Sequence, residues 1–503
     1  RMSSTTKKDD SKSKIKSYWY PERDAVLAEV REGYGAKSIL GHLFAFGLVP
    51  VLAFLVYKYS IENESVQAMI QSLNGSFSVL QQQDKGVFLP VIAVVGGVAF
   101  LLVSLTMYFM TRARQIYLID FHVYQPPDKN KVTPEYYVSH SKEIGVSDES
   151  LEFQTKLLHR TGLGNETYFP DGIMSQPPDF SLEAARDEAH EVLCACFQQV
   201  LNAHGMQPND VDILIVNCSL FNPTPSLSSM IVNEFKLKSS IKTINLSGMG
   251  CSAGIIAIDL ARDLLQLRSA VAVVLSTENI TQNWYLGKDR SMLVSNTLFR
   301  MGGAGVLLSS RWRHKSIAKY KLNTTVRVHH GADDASYHSI YQKSDDEGLV
   351  GVALSKSLLK VVGAALKSNM TTLGPQVLPW SEQLRFFVSL CKRKLSGKGA
   401  VYVPDFNRAF DHFCIHAGGR AVIDGLQENL GLSDYACEPS RATLYRFGNT
   451  SSSSVWYELN YIERDGRVKR GDRVWQIAIG AGVKCNSAVW TALRTLPGVV
   501  DAK

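Results

Sequence analysis

Cys251 stands where a nucleophilic thiol would be placed. It follows Gly248-Met-Gly250 and precedes the apolar run Ser252-Ala-Gly-Ile-Ile-Ala-Ile-Asp-Leu260, a pattern that predicts a strand-to-helix turn with the sulfur at the helix start. The unpaired N–H groups and the dipole at a helix N-terminus favour thiolate over thiol. A thiolate is the species that attacks an acyl thioester. The ordinary alternative for a lone cysteine is a packed structural thiol. Two other motifs overlap the stretch. Gly248-Met-Gly250 with Gly254 looks like part of a dinucleotide loop, but its third glycine falls at the wrong spacing. Gly250-Cys-Ser252-Ala-Gly254 matches the serine-hydrolase elbow, which would make Ser252 the nucleophile.

His416 closes the apolar strand His412-Phe-Cys-Ile-His416 and meets Ala417-Gly418-Gly419, glycines that let another group approach closely. Period-two alternation puts His412, Cys414 and His416 on one face. Asn449 lies in Arg446-Phe-Gly-Asn-Thr-Ser-Ser-Ser-Ser454, where capping the following helix is its bland role. The eight cysteines are scattered without zinc-type pairing or the density of a disulfide scaffold, so a reducing compartment and no metal site are expected. Cys485 reads as structural, and Cys194-Ala-Cys196 as two positions on one helix that do not face each other.

These residues need a scaffold, and from about residue 115 the chain alternates helices with short β-branched strands, the pattern of a layered α/β fold. A long amphipathic helix runs from Leu182 to His204 behind the N-cap Ser181. Strands are expected at Val211–Asn217, Ile241–Leu246 and Val271–Ser276, with a helix from Ser252 to Leu267 between the last two. The second half repeats the order: strand Phe413–His416, strand Thr443–Phe447, a turn at Gly448-Asn449, a helix from about Ser452 to Ile462 and strand Val474–Ile479. An internal duplication accounts for this. It sets the helix starts near Cys251 and Asn449 at equivalent places, facing one site.

The first hundred residues differ. Ile39–Tyr57 and Val87–Met110 lack charge over about the 20 residues that a bilayer demands. A polar tail of residues 1–37 precedes them, unlike a cleavable signal peptide. Lys37, Arg112 and Arg114 flank the outer ends, while the loop Ile61–Gly86 carries Glu62, Glu64, Asp84 and Lys85. The positive-inside rule then predicts a transmembrane hairpin over residues 38–111, with the tail and the carboxyl-terminal part in the cytosol. Two glycosylation triplets, at Asn63 and Asn74, fall in the lumenal loop. Across all 503 residues the net charge is +7 and the mean hydropathy −0.05. The first value comes without an arginine-rich block, which argues against nucleic acid as partner; the second excludes a polytopic transporter.

Several longer motifs occur in order: Asn217-Cys-Ser-Leu-Phe-Asn-Pro-Thr-Pro-Ser-Leu-Ser228, Gly248-Met-Gly-Cys-Ser-Ala-Gly254, Ser276-Thr-Glu-Asn-Ile-Thr-Gln-Asn-Trp-Tyr285, Phe299-Arg-Met-Gly-Gly303, Gly331-Ala-Asp-Asp334, His412-Phe-Cys-Ile-His-Ala-Gly-Gly-Arg420 and Arg446–Ser454. Together they resemble the plant 3-ketoacyl-CoA synthases of very-long-chain fatty-acid elongation, from about Tyr117 to Leu493. The resemblance implies a thiolase-like, duplicated α-β-α-β-α fold, divided here into residues 112–330 and 331–503. It implies a catalytic set of Cys251, His416 and Asn449, with the family's recurring histidines at His329 and His412. A further family histidine is Tyr445 here, and a family glycine is Ser247.

The implied reaction acylates Cys251 from a long-chain acyl-CoA, decarboxylates malonyl-CoA to an enolate, and joins the two into a 3-ketoacyl-CoA two carbons longer. Neutral donors suit an enolate oxygen, and the N–H groups of Cys251 and of the Gly480-Ala-Gly482 turn are candidates for a second oxyanion hole. The resemblance further implies no cofactor, an endoplasmic-reticulum membrane, a homodimer, and partnership with a ketoacyl reductase, a dehydratase and an enoyl reductase. A membrane-bound serine hydrolase or thioesterase using Ser252, and a non-catalytic scaffold for an elongase complex, are the competing functions.

Overall fold

Strands buried on both faces read as unbroken apolar runs, and Ile213-Leu-Ile-Val and Val271-Ala-Val-Val-Leu are such runs, with every residue buried. The computed structural model describes residues 96–108, 112–396, 402 and 404–498. They fall into two units, residues 1–112 and 113–503. In the first, residues 96–108 are helical. The expected span Ile39–Tyr57, the loop after it and the rest of Val87–Met110 lie outside the described residues. No helix among the described residues is long and apolar enough to cross a membrane.

In the second unit the strands are β1 (Tyr117–Val123), β2 (Lys131–Val132), β3 (Thr167–Tyr168), β4 (Ile213–Asn217), β5 (Lys242–Leu246), β6 (Val271–Thr277), β7 (Gly303–Ser309), β8 (Tyr320–His329), β9 (Ile340–Ser344), β10 (Val350–Leu354), β11 (His412–Ile415), β12 (Arg473–Gly480) and β13 (Lys484–Ala492). Nine of them form one mixed sheet in the order β11-β12-β13-β8-β1-β7-β6-β4-β5. The same device recurs at both ends. β4 runs parallel to β6, which turns back antiparallel as β7; β11 runs parallel to β12, which turns back as β13.

Alternation along the strands sorts their side chains into three cores. Leu214, Val216, Val273 and Leu275 pack beneath the helix Leu182–Asn202. Phe413, Ile415, Trp475 and Ile477 pack beneath the helices Leu358–Val377 and Arg420–Leu430. The opposite faces, Ile213, Ile215, Ala272, Val274, Cys414, Val474 and Ala478, share a central core with Ile255, Ile258 and Ala261 of the helix Ala253–Leu267. Val455, Trp456 and Leu459 of the helix Ser454–Arg464 join it. Two helices thus lie between two sheet halves, with further helices outside, which is the α-β-α-β-α layering.

The halves join narrowly, since β1 meets β8 only at Tyr117 opposite Lys321 and Leu118 opposite Tyr320. By contrast β8 pairs with β13 from Tyr320 to His329. A division of the chain after residue 330 therefore leaves β8 with the wrong half of the sheet. The strand expected at Thr443–Phe447 is also corrected: these residues end a helix, Asp434–Phe447. Ser433 caps it, accepting from the Ala436 N–H. A five-residue apolar alternation is too short to separate strand from helix. Here Leu444 and Cys437 face the outer core together, and among the described residues the second half has no counterpart of β5.

Candidate active site

Three glycine-dependent turns bring the candidate residues together. After β5 the chain turns at Gly248 and Gly250, both at positive φ, and delivers Cys251 just before the helix N-cap, Ser252. Only glycine serves at 250, because a Cβ there would lie 2.2 Å from the Ala481 backbone nitrogen. The turn after β12 is therefore pressed against the Cys251 turn. Likewise a Cβ on Gly254 would lie 2.4 Å from the Ser452 carbonyl, so the start of the Cys251 helix abuts the turn that follows Asn449. The two helix starts meet, as the duplication requires.

Cys251, His416, Asn449 and His329 all line one cavity of about 860 Å³, near the upper end of ordinary ligand pockets. Leu157, Leu298, Val352, Leu358, Leu359 and Val362 give it long apolar walls, and Arg160, Lys356, Arg420 and Lys484 supply its cations. Among the described residues Glu278 is the one carboxylate in the lining. A second hollow, of about 880 Å³, is an open surface cleft along the helix Asp434–Phe447. It contains Tyr445 and none of the candidate site residues.

His416 follows β11, and its N–H donates to the Ile477 carbonyl. Its Nδ1 lies 2.6 Å from the Ser454 hydroxyl, which leaves Nε2 for the cavity. Burial pushes its pKa down to about 4, so the imidazole is neutral at pH 7. The Asn449 amide is held at both ends: Oδ1 accepts from the Ser451 N–H at 2.8 Å, and Nδ2 donates to the Gly418 carbonyl at 3.2 Å. An amide nitrogen has two N–H donors, so one remains for a ligand.

The expectation of a lowered Cys251 thiol is reversed. Burial pushes it up to about 12, opposed by the Ser451 hydroxyl and reinforced by the Glu278 carboxylate. Desolvation is the largest cause of this shift, and it favours the thiol at rest. Glu278 is itself fixed by four donors: the N–H groups of Ser219 and Leu220, the Cys218 thiol and the Ser451 hydroxyl. Burial holds its pKa above the ordinary carboxylate range. Sequence reasoning gave no role to Glu278, Ser451 or Ser454. Each stands inside a motif, but no spacing marks it as a neighbour of Cys251 or His416.

The remaining candidates separate. His329 ends β8 at the cavity, its pKa lowered by desolvation and by Lys484, Arg327 and His330. His412 does not reach the cavity. It opens β11, four residues and about 13 Å of strand before His416, and its Nε2 pairs with Asp472 at 2.9 Å. Ser252 is fully buried and accepts from the Asn486 amide at 2.9 Å. It is absent from the cavity lining, and His416 pairs with Ser454 instead, so the geometry of a Ser252 hydrolase is missing. Cys485 packs inside the outer core. Among the described residues no cluster of His, Cys, Asp and Glu could hold a metal.

Comparison with known proteins agrees with this architecture. A family model described as FAE1/type III polyketide synthase-like protein matches residues 108–395, and one for the C-terminal part of 3-oxoacyl-[acyl-carrier-protein] synthase III matches residues 407–492. The chain is 56% identical to 3-ketoacyl-CoA synthase 4 of Arabidopsis thaliana over 79% of this chain and 77% of that one. It is 54% identical to 3-ketoacyl-CoA synthase 11 of the same plant over 94% and 91%. Among solved structures, 1,3,6,8-tetrahydroxynaphthalene synthase from Streptomyces coelicolor, a type III polyketide synthase, superposes with a TM-score of 0.61 at 20% identity, covering 75% of this chain and 99% of that one. The fungal type III polyketide synthase ORAS gives 0.58 at 18%, covering 75% and 99%. At these identities the structures speak to the thiolase-like fold alone.

Proposed function

The chain belongs to the FAE1/type III polyketide synthase-like family, and from that premise we infer that its cavity condenses a long-chain acyl-CoA with malonyl-CoA. The enzyme is a 3-ketoacyl-CoA synthase in kind, an acyltransferase of very-long-chain fatty-acid elongation. One observation carries the assignment of residues: a thiol, a neutral imidazole and a carboxamide line the same apolar cavity.

In our proposal His416 takes the Cys251 proton as the sulfur attacks the acyl-CoA carbonyl. The tetrahedral intermediate collapses, coenzyme A leaves as its thiol with that proton, and the acyl chain stays on Cys251. Both groups start neutral, so charge develops in the transition state and the tetrahedral intermediate, where positioned N–H groups are worth most. The N–H groups of Cys251 and Ala481 make no backbone hydrogen bond among the described residues, which supports them as that oxyanion hole. Malonyl-CoA then loses carbon dioxide, and the enolate oxygen is met by the second N–H of Asn449 and by His416 in its Nε2–H tautomer, with the Ser454 hydroxyl donating to Nδ1. The enolate carbon attacks the acyl thioester, and the Cys251 sulfur leaves as a thiolate that takes a proton from water and returns to the thiol. Arg160, Lys356 and Arg420 suit the phosphates of coenzyme A, and the apolar walls suit the chain.

We further propose that residues 38–111 anchor the chain in the endoplasmic-reticulum membrane with both ends cytosolic, on the charge asymmetry of the hairpin. We also propose that the enzyme is a homodimer working with reductase and dehydratase partners. Protease protection in sealed microsomes tests the topology, and a carboxyl terminus shielded until detergent is added would overturn it. The function is tested by supplying labelled acyl-CoA and malonyl-CoA. Formation of 3-ketoacyl-CoA, lost in Cys251→Ala, is expected; release of free fatty acid without malonyl-CoA consumption would refute it.

A further inference from the structure

The helix Trp380–Ser396 carries an apolar stripe that the other described residues leave exposed. Trp380, Leu384, Phe387, Val388, Cys391 and Leu395 follow the spacing i, i+4, i+7, i+8, i+11, i+15, which aligns them on one helical face. In a folded protein such a face is normally the buried one. Here Trp380 is 85% exposed, Leu384 62%, Phe387 62% and Leu395 88%. The opposite face holds the helix to the fold. Glu382, fully buried, accepts from the Tyr402 hydroxyl, the Asp405 N–H and the Arg408 guanidinium, and the Ser389 hydroxyl accepts from the Tyr402 N–H. The stripe therefore points outward by construction.

Charge says what covers it. With about 100° turned per residue, Arg385 and Lys392 border the stripe on one side and Lys394 on the other. The helix has a single acidic residue, the buried Glu382. An apolar face of Trp, Phe and Leu bordered by Lys and Arg is the composition of a helix that lies in a bilayer interface. There long cationic side chains reach up to anionic headgroups while their stems cover lipid. A second copy of this helix would set cation against cation, and a chain-crossing role is excluded by the same charges. We propose that the helix Trp380–Ser396 seats the folded unit, residues 113–503, on an anionic lipid surface. This contact belongs to the folded unit itself and does not rest on the anchor proposed for residues 38–111.

Hydroxyl-radical footprinting tests it on the full chain in phosphatidylcholine vesicles with and without phosphatidylserine. Trp312 and Tyr435, 78% and 61% exposed, serve as references. With phosphatidylserine, oxidation of Trp380 relative to Trp312 is expected to fall about fivefold or more, with Leu384 and Phe387 following. Lys392→Glu with Lys394→Glu should return Trp380 to the value seen without phosphatidylserine. Oxidation of Trp380 as fast as that of Trp312 and Tyr435 in the anionic vesicles would overturn the inference, and a chain still sedimenting with those vesicles would show that the anchor stands without it. Protection that follows protein density and ignores phosphatidylserine would assign the face to another protein and equally overturn it.

Discussion

If burial rather than the helix start governs Cys251, its reactivity toward a small alkylating agent reports it directly. The thiol is pushed up to about 12 from an ordinary 9.0, which sets about 4 kcal/mol against ionisation. At pH 8 about one molecule in ten thousand then carries a thiolate, some thousandfold fewer than for an unburied cysteine. Iodoacetamide modification of Cys251, followed by peptide mass spectrometry, should rise about tenfold per pH unit from pH 6 to 9 without levelling off. Two substitutions should move it in opposite directions. Glu278→Gln removes a carboxylate that opposes the thiolate, and should speed alkylation. Ser451→Ala removes a hydroxyl that assists it, and should slow alkylation. A plateau below pH 8 would mean that the thiolate already exists at rest. Equal effects from the two variants would equally refute the electrostatic account.

The other groups make further predictions. His416 stays neutral in the fold with a pKa of about 4 against an ordinary 6.5. Its contribution to stability is thus fully present above pH 6.5 and is lost as pH falls toward 4, by about 3 kcal/mol. Denaturant unfolding followed through the buried tryptophans should show this slope in the parent chain, and His416→Gln should flatten it. His412→Gln should leave turnover within about twofold and cost about 1 kcal/mol or less of stability, because its Asp472 partner lies away from the cavity; a hundredfold loss of turnover with normal stability would put His412 back in the site. Gly250→Ala adds a Cβ 2.2 Å from the Ala481 nitrogen at a φ of +72°, and should abolish condensation while lowering stability by about 2 kcal/mol or more. Wild-type activity in that variant would contradict the packing of the two turns.

Much of this was legible in the sequence because the local signals were long. The runs Ile213-Leu-Ile-Val and Val271-Ala-Val-Val-Leu are short and rich in β-branched residues, which marks them as doubly buried strands, and Ser181 and the glycines around Cys251 mark helix starts. Long motifs pointed to the cavity residues Cys251, His416, Asn449 and His329. What failed was whatever depends on depth. The helix start at Cys251 is a local feature, but the groups brought against that turn, Ala481 after β12 and the Ser451 hydroxyl, are distant in sequence. His412 shares a strand face with His416, yet face does not give position along the strand. Thr443–Phe447 alternates over too few residues to reveal the helix that begins at Ser433. Glu278 and Ser454 acquire meaning only once four separate segments meet.

The central claim is that nucleophile and enolate donors are different residues in one cavity, and measuring acyl-enzyme and carbon dioxide release separately tests it most directly. Cys251→Ala should form no acyl-enzyme yet keep decarboxylating malonyl-CoA. Asn449→Ala should retain Cys251 acylation and His416→Ala should lose most of it with the base removed, while decarboxylation falls about a hundred- to a thousandfold in both, the cost of one oxyanion donor. Decarboxylation at the parent rate in either donor variant, or acyl label that persists in Cys251→Ala, would contradict the account.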